Sequence, residues 1–234
     1  VEGVYTTDPN LTKSAKKINK ISYEEMLEMA SLGAKVMQPA SIQEARLNRI
    51  EIDVKSTFSK KSGTTITKKR NITGKNIIRG ISFTKNDAKL TLLGVKDKPG
   101  IAASIFKPLY ENSINVDMVV QNISAGSKET DLTFTIKLED LYKTRKLLEN
   151  NKSINFRKLI VNKNVSKVSI VGVGMITTPG VSYRMFRALA KKKINIEVIS
   201  TSEIKISVLI NKKNLKKSVE ILHQEFKLSS SLWV

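Results

Sequence analysis

One unit occurs twice in this chain, and its recurrence limits the possible folds more than any other feature. LTLLGVKDKPGIAASIFKPLYENSINVDMVVQ spans 90–121 and VSIVGVGMITTPGVSYRMFRALAKKKINIEVIS spans 168–200. Each runs apolar strand, Gly, short loop, Pro-Gly, apolar-periodic helix, Ile-Asn, apolar strand. Gly94 corresponds to Gly172, and Pro99-Gly100 to Pro179-Gly180. Phe106 corresponds to Phe186, Leu109 to Leu189, and Ile114-Asn115 to Ile194-Asn195. In the first copy the pattern predicts strand 88–94, helix 100–112, strand 115–122, strand 131–137, helix 139–150 and strand 154–161. In the second it predicts strand 167–173, helix 179–191, strands 195–201 and 203–210, and helix 212–225. This split βαβ order makes a small antiparallel sheet with both helices on one face. The fold class is α+β.

Two details strain the symmetry. Pro108 falls inside the first copy's helix, where it deletes a hydrogen bond and should kink the helix. The second copy has no obvious last strand after 225. Residues 76–83, NIIRGISF, can supply it from before the first copy, which would make the first module an insertion in the second.

The first 70 residues have a different texture. Ser22 with Glu25 forms a capping box before MLEMASL, and Gly33 suits the helix stop. Pro39 opens a second helix. Ile50, Ile52 and Val54 alternate as in a strand. SKKSGTTITKKRNITGKN reads as a polar, basic loop and linker. The chain begins with Val in a loop-like stretch, so it reads as a fragment lacking an N-terminal part.

Composition removes several chemistries. There is no cysteine, hence no disulfide, thiolate metal site or Cys nucleophile. The single histidine, His223, cannot make a His-rich metal site and reads as structural or surface. No run of 18 apolar residues exists, and no signal peptide is visible, so the default is a soluble cytoplasmic protein. The net charge is +20, but only 8 of the 41 basic residues are Arg, and the lysines are scattered. A Lys-rich solvated surface is favoured over polyanion binding, and no specific nucleic-acid contact is expected.

GVKDKPGIA and GVGMITTPGVS each join a strand to a helix start. The first turn of a helix offers unpaired N–H groups and a positive dipole end, which suit a carboxylate. Gly100 and Gly180 leave room against the backbone, and Asp97 can pair with an ammonium group. A free amino acid fits such a site. A turn with a helix cap is the alternative for the same residues.

TLLGVKDKPGIAA…INVDMVVQNIS resembles the first of the tandem ACT domains that regulate aspartate kinases, and NIEVISTSEIKISVLI resembles the second. Upstream, VEGVYTTDPN, LGAKVMQPASIQEAR and IDVKSTFSKKSGT resemble the nucleotide-site, later and closing segments of the kinase domain. The resemblance covers essentially all 234 residues. It implies tandem ferredoxin-like ACT domains preceded by the C-terminal piece of an α/β amino-acid-kinase domain. The expected boundaries are 1–70, 71–163 and 164–234.

The resemblance also implies site residues. Gly3, Val4, Tyr5, Thr6, Asn10 and Lys35 would serve the nucleotide, with Lys35 approaching its phosphates. The family often has Arg where Asn10 stands, and His where Gln38 stands. Effector contacts would come from Asp97, Lys98, Pro99, Gly100, Ile101, Ala102, Asn115, Val116, Asp117, Gln121 and Ser124. In the second module they would come from Val181, Ser182, Asn195, Ile196, Ser202 and Glu203. No metal ligand or catalytic residue is expected in this stretch. The implied parent reaction moves the γ-phosphoryl group of Mg-ATP to the side-chain carboxylate of L-aspartate, toward lysine, threonine and methionine. The ACT pair would sense lysine, threonine or both, and would dimerise or assemble further. The chain by itself is expected to be inactive and to hold no tightly bound cofactor. A stand-alone, non-catalytic amino-acid-binding regulatory subunit is the other reading.

Overall fold

The computed structural model describes residues 1–68, 77–123, 129–151 and 153–229. They form two compact units, Val1–Thr84 with Lys167–Val234, and Lys85–Ser166. The breaks between the two units fall at 84/85 and 166/167. Part of the expected linker, 69–76, lies outside the described residues.

The first unit opens with β1 (Lys20–Ser22), α1 (Tyr23–Ser31), α2 (Pro39–Leu47), β2 (Ile52–Val54) and β3 (Thr64–Thr67). Ser22 and Glu25 form the expected capping box on α1, and Pro39 occupies the first turn of α2. The three strands pair in the order β1-β3-β2, with β3 parallel to β1 and antiparallel to β2. β3 corrects the reading of 59–76 as loop throughout. Thr64 and Thr67 are buried, and their hydroxyls have partners. Thr64 Oγ1 donates to the Ile18 carbonyl at 2.6 Å and accepts from Val4 N–H at 2.8 Å.

The second copy of the repeat completes this unit through β7 (Lys158–Val171), α5 (Val181–Lys191), β8 (Ile196–Thr201), β9 (Lys205–Asn211) and α6 (Leu215–Glu225). Its fourth strand is the start of β4 (Gly80–Lys96), giving the order β8-β9-β7-β4. Arg79 N–H reaches the Val171 carbonyl at 2.7 Å. The strand borrowed from before the first copy is therefore present. Residues 167–171 and 206–210 are buried at every position, so both faces of this sheet are covered. Val168, Ile170, Ile206, Val208 and Ile210 pack under α5 and α6. Val171 joins the core of the N-terminal segment with Met26, Met29 and Ile66. Lys205 pairs with Glu28 of α1 at 3.0 Å.

The other unit holds the rest of β4, α3 (Ile101–Glu111), β5 (Val116–Ile123), β6 (Glu129–Lys137), α4 (Leu141–Glu149) and the start of β7. The order β5-β6-β4-β7 is that of a split βαβ module. Burial alternates along residues 88–93, the signature of a sheet covered on one face. Leu90, Leu92, Phe134 and Ile136 pack under α3 and α4. β4 and β7 are each single strands where the sequence suggested two, because Thr84–Asp87 and Asn162–Asn164 interrupt the apolar pattern without interrupting the backbone. Pro108 stays inside α3, so the helix runs through it to Glu111. No helix among the described residues is long and apolar enough to cross a membrane.

His223 settles as a structural residue. It is fully buried, with Nε2 2.9 Å from Thr6 Oγ1 and Nδ1 3.2 Å from Ser14 Oγ. Burial lowers its pKa below the ordinary value. The unfolded chain therefore binds the proton more readily. The neutral ring's contribution is full above about pH 6.5, and is lost as pH falls through the lower folded value. Denaturation from pH 8 to pH 5 is expected to show a stability loss that His223→Gln lacks. Parallel curves for the two proteins would contradict this.

Candidate functional site

α3 and α5 begin alike. Gly100 and Gly180 are their N-caps, with φ of 87° and 84°. A Cβ at either position would meet nothing within 4 Å. Glycine is needed there for the left-handed backbone, and the space over each helix start is open. Ile101 N–H donates to the Lys98 carbonyl at 3.2 Å, which closes the DKPG turn. The first intrahelical bonds come from Ser104 and Arg184, so the N–H groups of Ala102, Ala103, Ser182 and Tyr183 lack intrahelical partners. Asp97, Lys98, Pro99 and Gly100 are exposed around the α3 start. Ile101 and Val181 are not open to a ligand, because their side chains lie in the two module cores.

The paired glycines 94 and 172 have separate causes. Gly94 has φ 65° beside a bulge in β4 and donates to Asp131 Oδ1 at 2.9 Å. Gly172 is extended, but a Cβ there would lie 2.2 Å from the Ile77 carbonyl oxygen.

Other expected contacts are spread out. Asn115, Val116 and Asp117 follow the far end of α3, about 16 Å from its start for eleven residues at 1.5 Å each. Gln121 pairs with Leu132, which pairs with Leu92, so Gln121 lies toward the DKPG end of the sheet. Ser124 lies outside the described residues. In the second copy, α5 separates Ser182 from Asn195 and Ile196 by the same length. Ser202 and Glu203 come together with Val173, Ile176, Ile204 and Glu24 around a cleft of about 510 Å³. Glu24, Val173 and Ile176 were not anticipated. Glu24 lies outside the repeat, and Val173 and Ile176 sit in the loop of its second copy, far from Ser202 in sequence.

Of the residues expected to serve a nucleotide, Val4 and Thr6 are buried, with Thr6 Oγ1 engaged by His223 and by Lys16 N–H. Gly3 is buried as well, and Tyr5 is half-buried in a backbone bridge with Lys17. Asn10 is exposed in a turn closed by its N–H to Asp8 Oδ1 at 2.8 Å. Lys35 is exposed just beyond the end of α1. The exposed candidates in this segment are therefore Asn10 and Lys35. Among the described residues, no group of three or more His, Asp or Glu is placed to hold a metal ion.

The ACT domain model matches residues 90–151 and 168–226, and the amino acid kinase family model matches 1–56. Aspartate kinase of Pseudomonas putida is 45% identical over 232 residues, covering 98% of this chain and 56% of that protein. The crystal structure of Clostridium acetobutylicum aspartate kinase superposes with a TM-score of 0.85 at 26% identity, over 97% of this chain and 52% of the other. E. coli aspartokinase III in complex with lysine and aspartate, in its T-state, superposes at 0.77 and 27% identity, over 97% and 50%. Two ACT domains following an amino-acid-kinase segment define the class. The chain belongs to the aspartate kinase family and corresponds to the end of the kinase domain with both ACT domains. It spans about half the length of the curated relatives it matches.

Proposed function

We infer that the protein carrying this chain is an aspartate kinase, and that this region is its amino-acid sensor together with part of its nucleotide site. The parent reaction passes the γ-phosphoryl group of Mg-ATP to the side-chain carboxylate of L-aspartate. Lys35 contributes a mobile point charge near the phosphates, and Asn10 borders the same site. The ACT pair takes lysine, threonine or both. The cytoplasm is the compartment this reading implies.

The carrying observation is the open α3 start, where Gly100 leaves the N–H groups of Ala102 and Ala103 beside exposed Asp97. The N–H pair suits the effector carboxylate and Asp97 its ammonium group. Asn115–Asp117 sit a helix length away, so one module does not close the site. A second copy supplies the missing wall, which makes the assembly a dimer or larger. The lysine complex of E. coli aspartokinase III supports lysine as one effector.

The test is calorimetric titration of lysine and of threonine, singly and together, into wild type and Asp97→Ala. At least one amino acid is expected to bind the wild type, and about tenfold more weakly to the variant, the size of one charge-assisted contact. No heat and no thermal shift with either amino acid would reject the sensor. Equal affinities would remove Asp97 from the site.

A further inference from the structure

Glu25 does more than cap a helix. A capping box requires its carboxylate to accept only from Ser22 N–H. Here Oε2 takes that bond at 3.3 Å, the Ser22 hydroxyl at 3.1 Å and Arg79 Nε at 3.3 Å. Oε1 points away from the cap and accepts from Val173 N–H at 3.1 Å. The Glu25 side chain is fully buried and that of Arg79 is 5% exposed. A carboxylate taken wholly out of water is costly unless its oxygens are satisfied, and this one is satisfied from three separate chain segments.

Val173 begins the turn that leads from β7 to the Pro179-Gly180 helix start, and it lines the Ser202–Glu203 cleft. Gly172 N–H donates to the Ile204 carbonyl at 2.9 Å, tying that turn to the β8–β9 turn. From Glu25, α1 runs seven residues, about 10 Å, to its end at Ser31. Lys35 follows after Gly33, whose backbone packs on the Phe83 carbonyl. A rigid helix therefore has the sensor turn bonded to its first turn and the phosphate lysine beyond its last.

We propose that Glu25 is the positioning residue through which the β7–α5 turn of the second ACT module sets the placement of Lys35. This rests on the sensor and nucleotide roles given above. When the effector favours one arrangement of the turn, Val173 N–H moves, Glu25 follows, and α1 carries Lys35 with it. The coupling needs only a difference in effector affinity between the two arrangements.

The test uses the full-length protein carrying this chain, with lysine and threonine as probes. Glu25→Ala is expected to bind the amino acid within about threefold of wild type, yet to need about tenfold more for half-inhibition of kinase activity, a typical allosteric coupling. Glu25→Gln keeps a carbonyl oxygen for Val173 N–H. It is expected to stay inhibitable, although its amide now faces Arg79 and lowers the melting temperature. Val173→Pro removes the donor while keeping an apolar side chain against the cleft. The extended backbone of Gly172 accommodates a following proline, and proline is tolerated in a first turn. This variant is expected to lose inhibition as Glu25→Ala does, and the double variant no more than either single one. Val173→Pro carries the test if Glu25→Ala does not fold. Half-inhibition unchanged in both variants would overturn the proposal, leaving Glu25 a structural residue. Wild-type protein that binds neither amino acid would fail the sensor reading itself and this proposal with it, and calorimetry tells that outcome from a lost coupling.

Discussion

Arg79→Met is expected to destabilise the unit formed by 1–84 and 167–234 by about 3–5 kcal/mol, the usual cost of leaving a buried charge without its partner. Glu25 would keep its bonds from Ser22 and Val173 but lose the cation that offsets its charge. Methionine fills much of the arginine stem's volume, so the loss reports the charge rather than a cavity. Urea denaturation followed by hydrogen exchange in 77–84 and 167–171 measures it. Glu25→Gln on the Arg79→Met background should recover part of the loss, because the buried charge is then gone. A loss below about 1 kcal/mol, the scale of a surface ion pair, would show that the pair does not hold these segments together.

Phe134→Ala should cost the Lys85–Ser166 unit a similar amount, about 3–5 kcal/mol for a buried phenylalanine. The ring is fully buried between Leu90, Leu92 and the helices, and meets the Phe106 ring edge-on at 5.3 Å. For a unit of this size, each kcal/mol moves the melting temperature by roughly 4–8 °C. Exchange protection is expected to fall across 85–166 and to hold elsewhere. Equal loss of protection in both units would mean that they unfold as one.

Much of this fold is legible because burial wrote itself into period and punctuation. Each Pro-Gly marks a helix start, each Ile-Asn a strand start, and Ser22 with Glu25 a cap. What escapes the sequence is set by contacts between distant segments. β3 is polar and lies amid lysines, and only the partners of Thr64 explain why it is buried. The polar stretches within β4 and β7 look like strand ends because they are partly exposed. The repeat aligns Gly94 with Gly172, yet one serves a bulge and the other a close backbone approach. The helix-start residues of the candidate site announce themselves by type and position. Arg79 and Val173 do not, since nothing local in RGISF or VGVGM points to a carboxylate at position 25.

The insertion has a consequence for the order of events at the ribosome. Residues 77–84 emerge before the inserted module, and their strand partners at 167–171 emerge only after all of 85–166 has been made. The second module is therefore obliged to wait, holding an unpaired strand, while the inserted module has every contact it needs within its own stretch and can fold as it emerges. Its ends leave on the neighbouring strands β4 and β7, where Arg157 N–H bonds the Leu93 carbonyl. Once folded, it delivers the two waiting segments side by side. The long loop that would otherwise slow closure is thereby replaced by a short one. The inserted module acts as an assembly jig for its host.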